Sequence, residues 1–471
     1  MASRTFSKHR RKKRWVGQEV EVSVSDMAPG GWGVAAYKGQ RLYVTGALPG
    51  DRVTARVVRQ ERGRLEACVE QILSEGLKRV APRCEHFFVC GGCLWQHIDY
   101  PDQLRLKKAM VAFCFREAGL DATCVADVIG SEAIYFYRNK MDFTFGRSGT
   151  GQPALGLFES AEKTGRRKKR GKMPPVFDVT QCWLQSDAAN RVVAKARNAL
   201  RDAGSQPFDP ETRSGTVRSL VVREGAFSGQ MLVQVTTGSD CAEEMGPVAD
   251  AIAAEGVEGV VWSVNARRSK NAAPRSQVAI RGAAQICEEI SGLKLGVSAS
   301  TFLQVNTRQA EKLYEIALDF AGLDGTERVL DLYCGTGILS MVLARESREV
   351  TGVEIHPQAV ADAKQNAVRN RIENCHFLCG DVLELLDKGE LDFPPDVVIV
   401  NPPRAGVFRR VVEAICEAKP KRVVYVSCNP ETLVRDLVLF QQGGFQADRV
   451  QPVDLFPHTP HCEVVVQLRP C

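Results

Sequence analysis

Cys428 stands in VVYVSCNPETL, directly after a β-branched and aromatic run that reads as a buried strand and just before an Asn-Pro turn. A cysteine at that place can pack, ligate a metal or attack a carbon. Glu463, in HTPHCEVVVQL, opens the last apolar run. A thiol and a carboxylate brought into one pocket would make a nucleophile with a separate base. A second group of sulfurs lies far upstream, where CEHFFVCGGCLWQH spaces Cys84, Cys90 and Cys93 as C-x5-C-x2-C. Three thiolates want a fourth, and Cys182 in VTQCWLQ is the candidate. Four thiolates suit tetrahedral zinc or a cubane iron–sulfur cluster, and a C-x2-C pair alone leans to zinc. His86 and His97 flank these cysteines, but four thiolates leave them no place.

The elements that must position Cys428 and Glu463 are legible from about residue 305 onward. An amphipathic helix, EKLYEIALDFAGL, precedes the strands RVLDLY, EVTGVEI, CHFLCG, DVVIVN and RVVYVS, which alternate with helices. That alternation predicts an α/β, doubly wound, Rossmann-like parallel sheet. In VLDLYCGTGILS (329–340), a strand runs through a glycine loop into a helix, which puts a ligand at the carboxyl end of the sheet. Gly335 and Gly337 let the backbone approach that ligand. Glu354 closes the next strand 23 residues after Asp331, where a carboxylate can accept from two ribose hydroxyls. Asp381 ends a third strand, and VNPPRAG (400–406) follows a fourth. This succession resembles the S-adenosylmethionine-dependent methyltransferases. A dinucleotide dehydrogenase would want a third glycine. Amino-group methyltransferases carry an aromatic residue after N-P-P, where this chain has Arg404.

The rest of the chain is divided as follows. Residues 1–14 are a basic tail; residues 15–74 form a small β-module in which VEVSVS, RLYVTG and DRVTARVV are separated by the turns APGGWG and LPGD. This module resembles the TRAM domain, an OB-like five-strand barrel found on RNA-modifying enzymes. Residues 75–295 are a central α+β domain with helical patterns at 102–119 and 186–203 and strand-like runs at 217–223, 230–237 and 257–264, and residues 296–471 are the methyltransferase domain. The net charge is +6, yet 1–14 and 163–172 each carry seven Lys or Arg and no acid, so the remainder is −8. Charge concentrated in two such segments suits contact with a phosphate backbone, although a solvated tail and loop would look the same. Sixteen cysteines without a secretion signal argue against a disulfide framework. No apolar run approaches the ~20 residues of a membrane helix, so a cytoplasmic monomer with no membrane partner is expected.

Taken in order, ASTFLQVN, DLYCGTG, NPPRAG, SCNPETL and HCEVV resemble the S-adenosylmethionine-dependent RNA uridine-5 methyltransferases over nearly the whole chain. The resemblance implies Cys428 as nucleophile and Glu463 as the base that removes the C5 proton. It implies Gln304, Tyr333, Gly335, Gly337, Ile338, Glu354, Asp381 and Asn401 around S-adenosylmethionine, with position 338 acting through its backbone. Many members have Asp where this chain has Asn401, which can hydrogen-bond a uracil edge but not act as an anion. The chemistry is consistent: C5 of uracil becomes nucleophilic only when a thiolate adds at C6, so a thiol of low pKa is required.

The ribosomal-RNA branch of the family carries a 4Fe-4S cluster on such cysteines, which reverses the lean to zinc for Cys84, Cys90, Cys93 and Cys182. Barrel plus cluster points to 23S ribosomal RNA, with tRNA as the alternative substrate and a non-catalytic RNA-binding or assembly factor as the competing class. Trp32, Trp95 and Trp183 could stack bases, although each taken singly fits core packing better, and YRNKMDFTFG (137–146), with Arg138 and Lys140 on one face, could contact RNA or be an exposed strand. A uridine meeting Cys428 must leave its stack.

Overall fold

The computed structural model describes residues 15–61, 63–160, 173–267, 276–391 and 394–471. The basic segments 1–14 and 163–172 lie outside the described residues.

Strands β1 (Glu19–Ala28), β2 (Trp32–Tyr37), β3 (Gln40–Thr45), β4 (Arg52–Glu61) and β5 (Arg64–Ser74) close into a barrel in the order β1-β2-β3-β5-β4. The period-two pattern does what it predicts: Val20, Val22 and Val24 of β1 point inward and are buried, while their neighbours are exposed. The LPGD turn holds the barrel's exit strand. Asp51 is fully buried and accepts from Leu48 N (2.7 Å), Gly76 N (2.8 Å) and Arg79. Gly50 and Gly76 touch backbone to backbone there; a Cβ on Gly76 would lie 2.4 Å from Gly50.

Helix α1 (Tyr100–Glu117) binds the barrel to the rest of the molecule. Leu106 and Met110 pack with Met27, Leu48 and Trp95, whereas Val111, Cys114 and Phe115 pack into the C-terminal layer. Trp95 is therefore 4% exposed, which removes it as a base-stacking surface.

The central sheet has the order β12-β11-β10-β9-β6-β7-β8, built from β6 (Lys140–Arg147), β7 (Pro153–Phe158), β8 (Val176–Asp178), β9 (Val217–Glu224), β10 (Met231–Thr237), β11 (Gly259–Val264) and β12 (Ser276–Gly282). Helices α2 (Asp187–Asp202) and α3 (Ala242–Ala253) pack on it. Ser186 caps α2, its hydroxyl accepting from Ala189 N at 3.0 Å. A hairpin, β13 (Gln285–Ile290) and β14 (Leu293–Ser298), follows. The boundary drawn at 295/296 falls inside β14, and Ile286, Ile290, Leu293, Leu295 and Val297 all pack into the C-terminal core.

The C-terminal layer runs α4 (Thr307–Ala321), β15 (Arg328–Leu332), α5 (Ile338–Ala344), β16 (Glu349–Glu354), α6 (Pro357–Arg369), β17 (Cys375–Cys379), α7 (Val382–Asp387), β18 (Val397–Val400), α8 (Arg409–Ala418), β19 (Arg422–Ser427), α9 (Pro430–Gln442), β20 (Phe445–Val453) and β21 (Glu463–Pro470). Its sheet has the order β17-β16-β15-β18-β19-β21-β20, parallel through β19, with β21 antiparallel between β19 and β20. Alternate residues face two separate apolar layers: Val397 and Ile399 one, Val398 and Val400 the other. A strand buried on both faces must read as a continuous apolar run, as VVIV does.

Candidate functional site

The ends of β15 to β18 stand level, because Leu332 pairs with both Val353 and Val400, and Glu354 with Cys379. The loop after β15 carries Tyr333, Gly335 and Gly337 at φ of 64°, 57° and 73°. Gly337 has no room for a side chain: a Cβ would lie 2.5 Å from the Phe377 ring. Gly335 N donates to Glu354 Oε2 (3.1 Å), and His356 N to Glu354 Oε1 (2.9 Å), so the loop and the next strand fix that carboxylate. Asp381 caps α7, accepting from Leu383 N at 2.9 Å. Thr336 Oγ1 donates to Phe302 O (3.3 Å), drawing the segment that carries Gln304 over the same loop. Ile338 is buried at the start of α5. Asn401, half-buried, donates its N–H to Leu332 O (3.2 Å). The sequence-predicted cofactor residues thus gather at one edge of the sheet. Beneath them Asp331 is buried, takes Ser340 Oγ at 2.5 Å, and is pushed up to about 7 by burial, the Glu354 charge adding to the rise.

Cys428 and Glu463 meet because β19 and β21 are antiparallel neighbours. Ser427 pairs with Val464, which sets the end of one strand against the start of the other. Glu463 is 4% exposed; burial raises it to about 7, and the Arg404 guanidinium opposes that rise. Cys428 is half-buried, and its thiol is raised by burial and by Glu463, again against Arg404, which also hydrogen-bonds it. The expected low-pKa thiol is therefore not what the free protein presents, since two groups of like charge share a dry corner.

Arg404 is the functional residue that spacing arguments passed over, although it follows Asn-Pro-Pro directly. Its loop is clamped by α9: Asn429 Nδ2 and Thr432 Oγ1 donate to Arg404 O (3.0 and 3.2 Å), and Arg435 Nη2 to Ala405 O (2.9 Å). The loop before Glu463 is held from α1. Lys107 and Asp454, both fully buried, form an ion pair, Tyr100 OH donates to Asp454 (3.0 Å), and Lys107 Nζ to Phe456 O (3.1 Å). Gln103 Oε1 accepts from His458 N (2.8 Å). Nothing in the sequence signals a lysine of α1 as the partner of a residue 347 positions away.

The four cysteines lie elsewhere, between the central sheet and residues 84–97. Cys93 and Cys182 are buried; burial lifts them to about 12 and about 11, and the neighbouring thiols push in the same direction. N–H donors face the sulfurs: Gly92 N to Cys90 Sγ (3.3 Å), Gln96 to Cys93 and Leu184 N to Cys182. His86 is taken up by Thr180 (2.8 Å). Among the described residues no three His, Cys, Asp or Glu are gathered as a single metal ion would need. Leu94 N and Trp95 N both donate to His458 O (2.9 Å each), so this loop touches the one that leads to Glu463.

Residues 292–470 match the family model "tRNA (Uracil-5-)-methyltransferase", and residues 13–69 the TRAM domain. An uncharacterized RNA methyltransferase of Clostridium acetobutylicum is 32% identical over 460 residues, covering 96% of this chain and 97% of the relative. Another from Porphyromonas gingivalis is 36% identical over 461 residues, covering 95% and 99%. Among solved structures, the Pyrococcus abyssi tRNA (uracil-54, C5)-methyltransferase in complex with S-adenosyl-L-homocysteine superposes with a TM-score of 0.71 at 25% identity, covering 95% of this chain and 99% of that one. No helix among the described residues is long and apolar enough to cross a membrane.

Proposed function

The chain belongs to the S-adenosylmethionine-dependent RNA (uracil-5-)-methyltransferases, and on that premise we propose that Cys428 and Glu463 convert one uridine of 23S ribosomal RNA to 5-methyluridine. The observation that carries the assignment is a thiol and a carboxylate brought together at the sheet's carboxyl edge, with the Arg404 guanidinium acting on both. Cys428, its proton lost to solvent, adds to C6 of the flipped uracil; the C5–C6 π pair moves to C5 and O4. Gln304, Tyr333, Gly335, Gly337, Ile338, Glu354, Asp381 and Asn401 would hold S-adenosylmethionine, which would supply the methyl group to C5 and leave as the thioether S-adenosylhomocysteine. Glu463 then accepts the C5 proton, the double bond reforms and the Cys428 thiolate leaves.

For Cys84, Cys90, Cys93 and Cys182 the reading is a closed 4Fe-4S cluster of structural role. Burial and mutual repulsion disfavour four free thiolates there, and a cationic centre relieves both, while the N–H donors suit bound sulfur. Iron absent and zinc present in anaerobically purified protein would overturn it. Support for 23S RNA comes from the joint presence of barrel and cysteines. A tRNA substrate is the second reading, and one observation favours it: the Pyrococcus enzyme, whose name gives uracil-54 of tRNA, matches over nearly its full length.

The test uses methyl-labelled S-adenosylmethionine with separate unmodified 23S RNA and tRNA, followed by nuclease mapping. Label as 5-methyluridine in 23S RNA, lost in Cys428→Ala, is expected. Label only in tRNA replaces the substrate; no label with RNA still bound replaces the enzyme by a binding factor.

A further inference from the structure

Gln304 is held in place from a different part of the chain. Asn139, buried just ahead of β6, extends the β6–β9 ladder by one bond, its carbonyl accepting from Glu224 N (2.8 Å). Its three N–H bonds all go to the segment 301–307. The backbone N–H donates to Val305 O (2.8 Å), and Nδ2 donates to Gln304 O and to Thr307 Oγ1 (2.8 Å each). Arg223, Asn139's neighbour at the end of the same ladder and fully buried, donates Nη2 to Thr301 O (2.5 Å). The central sheet therefore grips this segment at both ends. Between the two grips, Phe302 O accepts from Thr336 Oγ1 of the loop after β15 (3.3 Å).

Fixing the successive carbonyls of Gln304 and Val305 fixes two peptide planes, and with them the direction in which the Gln304 side chain leaves the backbone. A long, freely turning side chain binds a ligand better when its root is already set, because less motion is lost on binding. Only an amide supplies what the position uses. Leucine has the shape but no donor, and aspartate would set oxygen against the Gln304 carbonyl. The amide orientation follows from that same carbonyl, since the flipped form would clash in the same way. Asn139 Oδ1 is left buried without a hydrogen-bond partner among the described residues, a cost that the two donations from Nδ2 offset. Resting on the reading of Gln304 as a cofactor residue, we propose that Asn139 is a positioning residue for S-adenosylmethionine, acting through Gln304 from 165 positions upstream. The affinity of the catalytic layer for its cofactor then depends on a residue outside the matched span 292–470.

Calorimetry of the full chain with S-adenosylmethionine tests this in Asn139→Ala, Gln304→Ala and the double variant. Asn139→Ala should weaken binding about tenfold, the effect of one lost buried hydrogen bond. In the Gln304→Ala background the same change should cost nothing further, which a merely structural role would not produce. Thr307→Val keeps the shape and removes one acceptor of Nδ2; it should weaken binding about threefold and decides the matter if Asn139→Ala does not fold. Equal losses in both backgrounds, or unchanged affinity in folded Asn139→Ala or in Thr307→Val, overturn the proposal alone. Unchanged affinity in Gln304→Ala strikes the cofactor reading of Gln304 and this proposal with it.

Discussion

Glu463→Gln should stabilise the protein at alkaline pH while abolishing turnover, and the size of the first effect follows from the site. Burial raises Glu463 from an ordinary 4.5 to about 7. Between these values the folded chain holds a proton that the unfolded chain has released. Stability contributed by the protonated carboxyl is therefore present below 4.5 and falls as pH rises towards 7. Above that window the ionised, buried carboxylate costs about 3 kcal/mol, taking 1.36 kcal/mol per unit. Glutamine keeps the shape without the charge, so the gap between variant and wild type should widen from about 1 kcal/mol at pH 5 to about 3 at pH 8. For a domain of this size that amounts to some 5–10 °C in Tm at pH 8. Asp331, raised to about 7 as well, remains in both proteins and cancels in the difference. Thermal melts of both proteins at several pH values give the gap; turnover should fall by about 10²–10⁴, the usual worth of a general base. A gap that does not change with pH, or a variant less stable at pH 8, would refute the burial argument.

Arg404→Leu removes the positive partner of both Cys428 and Glu463, so the midpoint of the pH–rate profile should move to higher pH; an unmoved or more acid midpoint would count against Arg404. Gly337→Ala drives a methyl group into the Phe377 ring, and calorimetry should show S-adenosylmethionine affinity lowered by tenfold or more, about 1.4 kcal/mol. Lys107→Met leaves Asp454 buried and unpaired and should cost about 3–5 kcal/mol in denaturant unfolding, most of it regained in Lys107→Met/Asp454→Leu.

What could be read without coordinates was local. The strand ends are marked by short motifs, so the placing of Tyr333, Gly335, Glu354, Asp381 and Cys428 at one edge of the sheet was legible one strand at a time, as was the alternation that buries Val20, Val22 and Val24. Contacts across the chain left no such trace. The periodicity of α1 predicts a buried face but not that the face is shared between the barrel and the C-terminal layer. Nor does it show that Lys107 on that face is neutralised by Asp454. Of the two roles open to Trp95, stacking a base or packing a core, the structure has the second, which composition alone does not distinguish. The 295/296 boundary cut a hairpin whose apolar residues pack onward rather than backward in the chain. The thiol's raised pKa was illegible because it arises from burial and from Glu463, a neighbour created by strand pairing.

The position of β21 has a kinetic consequence. Strand β20 precedes it in the chain but lies outside it in the sheet, its far edge touched by Val125 and Ile129. Pairing of β19 with β21 is thus the one event that brings thiol to carboxylate and also gives β20 its inner neighbour. A chain in which that pairing has not formed keeps Cys428 and Glu463 apart. Recovery of activity during refolding should track the slowing of amide exchange in Val464–Leu468, so the enzyme itself serves as a clock for the closing of its sheet.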